Sequence, residues 1–366
     1  MTDLDTETQL RNTTLDKPSA RSNGSCPVPS SIAELEDCLS QPTAGALKAL
    51  ERLNGDILVL GVGGKIGPSL ARMIRRGFDE LGRTDRVIGA ARFSNPELIA
   101  SLNQHGIETV QVDLMDRDAI DRLPHVENVI FMAGFKFGAT QCPERTWAMN
   151  VLAPAWVAES FAGSRQLVYS TGCVYPNVPV ESSGSLEDDP LEPIGEYANT
   201  CIGRERVFEW FAGQKGSPLS IYRLNYAVDL RYGVLVDIAE KVATGKPVDV
   251  TMGYANVIWQ GDANACAIQC LQLASIPPFV VNITGPEKLS VREVAHRFGE
   301  LLGRKPVIVG EEGPTALLSD AGLSQRLFGP PEVCADRLIE WVAAWLLNGR
   351  PTLGKPTHFE VIDGRY

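Results

Sequence analysis

The chain has 366 residues, of which 44% are hydrophobic and 22% charged, and its formal net charge is −11. This composition is that of an ordinary globular protein and excludes a disordered, coiled-coil or collagen-like chain. The acidic balance lacks the basic surface that nucleic acids and anionic membranes require, and no apolar run approaches the roughly 20 residues of a membrane span.

Residues 1–28 are polar and lack apolar periodicity, which predicts a flexible N-terminal arm. The N-terminus is acidic, unlike a secretory signal. Eight cysteines and four histidines are scattered without CxxC or zinc-type spacing. These features predict a reduced, cytoplasmic, soluble protein without a bound metal.

Residues 29–55 carry the start and stop signals of two short helices. Ser30-Ser31 is typical of an N-cap, Pro42 of a helix start and Asn54-Gly55 of a helix end. The sequence therefore predicts a helical N-terminal extension.

From residue 56 onward, short apolar runs alternate with segments of helical periodicity. The predicted strands are 57–61, 86–91, 108–112, 126–132, 166–170 and 219–224. The predicted helices between them are 65–77, 96–104, 116–122, 142–161 and 196–214. This alternation predicts an α/β fold whose doubly wound parallel sheet, over residues 56–225, is covered by helices on both faces.

The remainder of the chain, 226–366, mixes short strands and helices and predicts a smaller cap over the sheet's C-terminal edge. We expect this cap to be interleaved with the core near 257–285 and to end in a helix at about 331–348.

A glycine-rich turn, GVGGKIG, follows the first predicted strand and opens the first helix. Gly61 permits the tight turn, Gly64 lets a pyrophosphate approach the backbone, and Gly67 permits close helix–strand packing. Backbone N–H groups at the helix start, including those around Lys65 and Ile66, then hold the phosphates. A plain strand-to-helix turn is the alternative, but the strand–turn–helix context favours a dinucleotide site.

The second predicted strand ends in Arg92, without the carboxylate that normally binds the adenosine ribose of NAD. Arg92 is suited to a 2′-phosphate, which favours NADP over NAD; a solvated strand end is the alternative. Asp113 and Leu114, after the third strand, are candidates for contacting the adenine.

Five segments, in order, resemble the extended short-chain dehydrogenase/reductases, the NAD-dependent epimerase/dehydratase family. They are the glycine turn, the fourth-strand motif ending in Ala133-Gly134-Phe135-Lys136, Asn150 in the next helix, Ser170-Thr171-Gly172-Cys173-Val174-Tyr175, and Tyr197–Cys201 where the family has YxxxK. The AGFK segment most resembles UDP-galactose 4-epimerases. The resemblance covers about 56–305.

This resemblance implies a Rossmann-type domain with a smaller substrate domain, and hydride exchange between bound NAD or NADP and a hydroxyl-bearing carbon. The expected substrate is a sugar, a sugar nucleotide or a sugar-like polyol. It also implies a homodimer that pairs the helices at 142–161 and 196–212.

The resemblance also implies roles for individual residues. Tyr197 matches the catalytic base, and Thr171 its hydroxyl-bearing partner. Lys136 and Asn150 match positions near the cofactor ribose or in its ordering network, and Ala133, Gly134 and Tyr197 also match positions near the cofactor. Asn225 matches a position close to substrate.

The largest departure from the family pattern is Cys201, which stands where the family has the lysine that lowers the pKa of the tyrosine. Three interpretations remain open. In the first, another cation replaces the lysine, either Arg204, two turns beyond Tyr197, or Lys136. In the second, Tyr197 acts only as a hydrogen-bond donor. In the third, the chain binds a nucleotide without redox chemistry. Cys201 itself is a candidate catalytic residue because of its position.

A second departure is the pair Gly172-Cys173, where 4,6-dehydratases of the family carry Asp-Glu. The absence of both carboxylates argues against 4,6-dehydration and favours epimerase, dehydrogenase or reductase chemistry. Cys173 is either a thiol acid/base beside the substrate or a packed thiol. Arg231 is predicted either to bind a substrate phosphate or carboxylate or to form a salt bridge.

Two functions therefore compete. One is an NAD(P)-dependent epimerase or dehydrogenase acting on a small sugar-like substrate. The other is a catalytically retired nucleotide-binding relative with a regulatory role.

Overall fold

The computed structural model describes residues 28–365, so the predicted arm, apart from its last residue, lies outside the described residues. The helices are α1 (Ile32–Leu39), α2 (Ala44–Arg52), α3 (Gly67–Glu80), α4 (Pro96–Gln104), α5 (Arg117–Asp121), α6 (Pro143–Trp147), α7 (Ala153–Ser160), α8 (Gly195–Lys215), α9 (Val234–Thr244), α10 (Gln260–Gln272), α11 (Val291–Leu302), α12 (Gly322–Phe328) and α13 (Ala335–Leu347). A π-helical turn (Ala148–Leu152) joins α6 to α7, and a 3₁₀ turn (Gly172–Val174) follows β5.

The strands are β1 (Ile57–Leu60), β2 (Val87–Ala91), β3 (Glu108–Gln111), β4 (Asn128–Phe131), β5 (Arg165–Thr171), β6 (Val178–Pro179), β7 (Leu219–Leu224), β8 (Ala227–Val228), β9 (Pro247–Asp249), β10 (Tyr254–Ala255), β11 (Ile258–Trp259), β12 (Phe279–Ile283), β13 (Leu289–Ser290), β14 (Val307–Val309) and β15 (Thr315–Ala316).

Seven parallel strands form the central sheet, in the order β3-β2-β1-β4-β5-β7-β12. The predicted doubly wound sheet is confirmed. Strand order reverses between β1 and β4, and such a reversal opens a crevice at the carboxyl ends of the strands. β12 comes from the second part of the chain and pairs with β7 at the sheet edge.

The central strands are apolar throughout because both faces of the sheet are covered. All four residues of β1 and of β4 are buried. On one face, α3 buries an apolar stripe that includes Leu70, Ile74 and Phe78. This is the pattern expected of parallel strands between two helical layers.

The helical N-terminal extension packs onto the sheet's helical layer. Ser31 and Thr43 cap α1 and α2 by accepting hydrogen bonds from the N–H groups of Glu34 and Ala46, each at 3.2 Å. α2 packs on both α3 and α10, and its Leu50 is fully buried in their shared core. The extension is thus part of the main hydrophobic core.

The predicted single helix at 142–161 is interrupted by the π-helical turn. Pro154 has no N–H to donate to the carbonyl of Asn150, four residues earlier. The N–H of Ala153 instead bonds to the carbonyl of Ala148, five residues back. The interruption displaces Asn150 from regular helical spacing, and π turns of this kind are frequent at functional sites.

A second core lies between α9, α11 and α13, to which α1 contributes Leu35 and Leu39. The chain beyond α13 returns across α9. Glu360 forms an ion pair with Lys241 at 3.0 Å, and the backbone N–H of Thr357 donates to Asp237 at 2.8 Å. The C-terminal segment, residues 349–365, is therefore fastened to the body of the protein.

Leu50→Ala tests the contribution of the N-terminal extension to stability. Because Leu50 is fully buried between α2, α3 and α10, we expect the unfolding free energy to fall by about 2 to 5 kcal/mol. Urea unfolding followed by circular dichroism measures it. The matched control is Leu347→Ala, whose side chain is 63% exposed and whose effect should stay within about 0.5 kcal/mol. Equal effects of the two variants would contradict this packing.

Candidate active site

The glycine turn between β1 and α3 is shaped by two close backbone approaches. Gly61 has φ +91°, and a Cβ there would lie 2.6 Å from the backbone nitrogen of Ala133. A Cβ on Gly67 would collide with the backbone of Val62. Gly64, by contrast, is exposed and faces the crevice. The turn can keep this path only with glycine at 61 and 67, and it leaves its backbone open to a ligand.

A cavity of about 620 Å³ lies beside this turn, at the carboxyl ends of β1, β2, β3 and β4. The predicted cofactor residues that line it are Gly61, Gly64, Arg92, Asp113, Leu114, Ala133 and Gly134. Arg92 is exposed at the end of β2. Asp113 accepts a hydrogen bond from the N–H of Met115 at 3.0 Å, which shapes the loop after β3.

A second cavity, of about 290 Å³, continues from the first along the same edge of the sheet. The predicted residues that line it are Ile66, Gly134, Lys136, Thr171, Cys173, Tyr197 and Asn225. Met132 and Gly134 line both cavities, so the two form one cleft. The structure therefore brings the glycine turn and the Tyr197–Thr171 pair into a single site.

Tyr197 lies in the first turn of α8 and faces this cleft. Burial raises the pKa of Tyr197 well above its ordinary value; Cys201 and Cys173 raise it further, and the positive charge of Arg204 opposes them. Thr171, at the end of β5, accepts a hydrogen bond from the N–H of Cys173 at 3.2 Å. The pair thus joins one helix and one strand end at the floor of the cleft.

Cys201 is fully buried, one helical turn beyond Tyr197, and is hydrogen-bonded to it. Burial raises the pKa of the Cys201 thiol to about 11. The thiol is therefore uncharged at neutral pH and cannot supply the positive charge of a lysine.

Two cations lie near Tyr197. The Nζ atom of Lys136 is 5.5 Å from the centroid of the Tyr197 ring. Arg204 is buried and lines the cavity; its guanidinium donates to the carbonyl of Tyr169 and to Oδ1 of Asn150, both at 2.9 Å.

Asn150 fastens the loop after β4 to α8. Its side chain accepts from the N–H of Phe135 at 2.8 Å and donates to the carbonyl of Phe135 and to Oγ1 of Thr200, each at 2.9 Å. Asn150 is completely buried and is not among the described residues lining the cleft. The structure thus places it in the network that orders the site rather than at its surface.

Behind the floor of the cleft lies a buried ion pair that reasoning from the sequence did not identify. Arg223 on β7 binds Glu205 on α8 through two hydrogen bonds, at 2.8 and 3.0 Å. Glu205 also accepts from Ser170, the residue before Thr171. Nothing in the spacing of these residues indicates the contact, because it joins different elements through the fold.

Lys65, in the glycine turn, extends into an aromatic and cationic environment. Its Nζ atom lies 3.0 Å from the centroid of the Tyr232 ring and 5.2 Å from that of Phe137. Burial, together with the positive charges of Lys355 and Lys136, lowers the pKa of Lys65 to about 8, although Asp237 and Asp229 oppose the shift. Lys65 is not among the described residues that line either cavity, but Lys136 lines the smaller one, and a cluster of ammonium groups there favours binding of an anion.

The C-terminal segment also reaches the site, which the sequence did not indicate. Thr357 lines the cavity beside Tyr232, and the His358 ring lies 5.9 Å from that of Phe137. Lys355, in the same segment, contributes to the cationic cluster.

Arg231 forms a salt bridge, the second of the two roles predicted for it. Its guanidinium forms ion pairs with Asp229 and with Glu36 of α1, both at 2.7 Å. It is not among the described residues that line the cleft. The single positive charge that a substrate phosphate would need is thus already engaged by two carboxylates of the protein.

The sequence profile of the NAD dependent epimerase/dehydratase family matches residues 57–250, more than half of the chain. The chain belongs to this family. The resemblance carried by the five motifs is therefore confirmed. A search of curated protein sequences found no significant match.

Solved structures with this fold include family enzymes. UDP-glucose 4-epimerase of Thermotoga maritima is 18% identical over 80% of this chain and 99% of that one, with a TM-score of 0.64. dTDP-glucose 4,6-dehydratase of Bacillus anthracis is 16% identical over 80% and 97%, with a TM-score of 0.68. WbmG of Bordetella bronchiseptica is 19% identical over 83% and 98%, with a TM-score of 0.68. At these identities the likeness shows the shared epimerase/dehydratase fold.

Within residues 28–365, no group of three or more His, Cys, Asp or Glu side chains is arranged to hold a metal ion. The same part of the chain contains no helix with the length and apolar character needed to cross a membrane.

The altered pKa of Lys65 generates a pH-dependent prediction for this epimerase/dehydratase family member. If its ammonium holds a phosphate, affinity for NAD+ should be greatest below pH 8 and should weaken as the pH rises through about 8, because Lys65 then loses its proton. Calorimetric titration at pH 6.5 and 9 measures this. Lys65→Met should bind more weakly at pH 6.5 and lose most of the pH dependence. An unchanged pH profile in Lys65→Met would contradict the assignment.

Proposed function

We propose that the protein catalyses NAD(P)-dependent hydride exchange on a sugar, a sugar nucleotide or a sugar-like polyol, as an epimerase or dehydrogenase. The observation that carries this proposal is the single cleft in which the glycine turn leads directly to Tyr197 and Thr171. A dinucleotide site and a phenol–hydroxyl pair meet there, and hydride chemistry at a hydroxyl-bearing carbon needs both.

The residues of the cleft fit a nicotinamide dinucleotide. The glycine turn offers open backbone at Gly64, Lys65 supplies positive charge for a pyrophosphate, and the larger cavity beside Arg92 has room for an adenosine. We assign the residues of this cavity and Lys136 to the cofactor, with Asn150 ordering the loop that carries Lys136. The smaller cavity, with Thr171, Cys173 and Asn225, is assigned to the substrate.

A bound nicotinamide supplies the hydride acceptor and donor. Tyr197 takes the proton of the substrate hydroxyl at its phenol oxygen and returns it in the reverse direction, while Thr171 hydrogen-bonds the same substrate oxygen and aligns it. Because burial raises the pKa of Tyr197, the phenol is protonated in the free protein. The site is therefore ready to donate a proton, and accepting one requires a nearby positive charge.

The assignment of substrate class rests on two considerations. The similar structures include an epimerase and a dehydratase named for nucleotide-linked glucose, which supports a sugar nucleotide. Gly172 and Cys173 offer no carboxylate pair for eliminating water. Epimerisation or simple oxidation and reduction is therefore favoured over 4,6-dehydration.

The cofactor is proposed to be NADP or NAD, with the exposed Arg92 favouring the 2′-phosphate of NADP. We also propose a division of labour along the chain. Residues of 56–225 line the adenosine cavity, whereas 226–366 adds Tyr226, Tyr232 and Thr357 to the substrate cavity.

The alternative function is nucleotide binding without turnover. It is favoured by the neutral thiol of Cys201 and by the raised pKa of Tyr197. This alternative predicts cofactor binding without any redox signal.

The chemical roles are tested with Tyr197→Phe and Thr171→Ala. Each should lower turnover at least tenfold without loss of fold or of NAD(P) binding, because each removes one contact to the reacting oxygen. Absorbance near 340 nm with a panel of sugars and sugar nucleotides measures turnover, and calorimetry with NAD+ and NADP+ measures binding. Full activity in both variants would remove these roles; binding without redox signal in the wild type would favour the alternative.

A homodimer is proposed from the apolar surface of adjacent helices. Trp210 on α8 is 63% exposed, and Leu152, in the π turn that packs against α8, is 44% exposed. Sedimentation should give twice the 39.7 kDa chain mass, and Trp210→Glu should shift the protein towards monomers. Trp341→Phe, within the second core, should leave the mass unchanged. Monomers of wild-type protein at micromolar concentration would contradict the proposal.

A further inference from the structure

We propose that Arg204 supplies to Tyr197 the positive charge that the family's lysine provides elsewhere, so that Cys201 marks a relocated cation rather than a lost one. The proposal rests on the proposed function and adds a residue role to the same site.

The spacing on α8 places Arg204 on the same helical face as Tyr197. Tyr197, Cys201 and Arg204 follow one another at helical spacings of four and three residues, so all three lie on one face of the helix. Tyr197 and Arg204 both line the smaller cavity. Arg204 therefore brings a positive charge to the cavity that Tyr197 faces, from one turn beyond Cys201.

Hydrogen bonds hold the guanidinium of Arg204 in place. It donates to the Tyr169 carbonyl on β5 and to Oδ1 of Asn150 on the π turn. A Cβ on Gly134 would lie 2.7 Å from its Nη2 atom, so the glycine leaves room for it. Because two hydrogen bonds hold its head group, the long side chain keeps its direction.

Arg204 is a buried charge whose hydrogen-bond acceptors are neutral. Arg204 is only 4% exposed, yet its acceptors are a carbonyl and an amide oxygen, which are both neutral. Among the described residues no carboxylate forms an ion pair with it, and its buried Nε has no hydrogen-bond partner. The adjacent Glu205 is engaged by Arg223. A buried, unneutralised cation is costly for stability, which is expected where the charge serves a site.

Groups from three parts of the fold face Tyr197. Cys201 on α8 and Cys173 after β5 raise the pKa of Tyr197, whereas Arg204 lowers it; Lys136, from the loop after β4, lies at the ring. The thiols are not sources of positive charge. Arginine keeps its charge at every pH at which the protein is folded, unlike a lysine, whose pKa falls on burial. Arg204 is thus a positioning residue that acts through Tyr197.

The direct test measures the titration of residue 197. We would replace Tyr197 by 3,5-difluorotyrosine, whose phenol ionises at lower pH, and follow its ¹⁹F resonance with pH in the presence of NAD+. Arg204→Met should raise the midpoint by about one pH unit or more, and Arg204→Lys should raise it less. Arg206→Met is the matched control, because Arg206 lies on the same helix, is exposed and pairs with Glu209; its midpoint should not move.

A rescue experiment separates charge from packing. Cys201→Lys restores a cation one turn away, so adding it to Arg204→Met should bring the midpoint back towards that of the wild type. A merely structural role of Arg204 would not be rescued in this way. Should Arg204→Met not fold, by circular dichroism, Arg204→Gln is compared with Arg204→Lys.

The proposal is overturned by a midpoint that stays within about 0.3 pH unit in the neutral variants, or by an equal shift in Arg206→Met. It is also overturned if Cys201→Lys gives no rescue. If the proposed function fails, the wild-type protein shows no turnover near 340 nm. The ¹⁹F titration still shows in that case whether the charge of Arg204 lowers the pKa of residue 197. Where turnover is found, the acid limb of the pH–rate profile should move with the same midpoint.

Discussion

The close approach of backbone at the glycine turn is the constraint on which the site depends. At Gly61 and Gly67 a single added carbon would strike the backbone of Ala133 or Val62. These contacts set β1, β4 and α3 so near to one another that the crevice opens at the reversal of strand order. The loop that carries Lys136 and the end of β5 at Thr171 line this crevice, and α8 adds Tyr197 beside them.

Electrostatics distinguishes this site from the arrangement implied by its family motif. The chain has a net charge of −11, yet cations gather around the cleft: Lys65 with Lys136 and Lys355 at one end, and the buried Arg204 beside Tyr197. Of the acidic groups near this network, Glu205 and Asp229 are engaged by arginines, and Asp237 accepts hydrogen bonds from Thr357. The cleft is therefore suited to a ligand that carries negative charge.

Features of this fold that are encoded by residues close together in the sequence could be predicted, whereas contacts between distant residues could not. Strand–helix alternation and glycine spacing are local patterns, so the sheet and the glycine turn could be predicted. The π turn depends on a single missing N–H at Pro154, which leaves the apolar periodicity unchanged. The stacking of Lys65 on Tyr232 and the approach of Thr357 join residues far apart in the chain, so no spacing could indicate them.

Hydrogen–deuterium exchange with and without NAD+ or NADP+ tests most directly whether the cleft is a dinucleotide site. We expect slower exchange in peptides that cover the glycine turn (residues 61–68) and the loop after β4 (residues 132–137), with α13 unchanged. Unaltered exchange in both segments at saturating cofactor, or protection confined to other parts of the chain, would contradict this expectation.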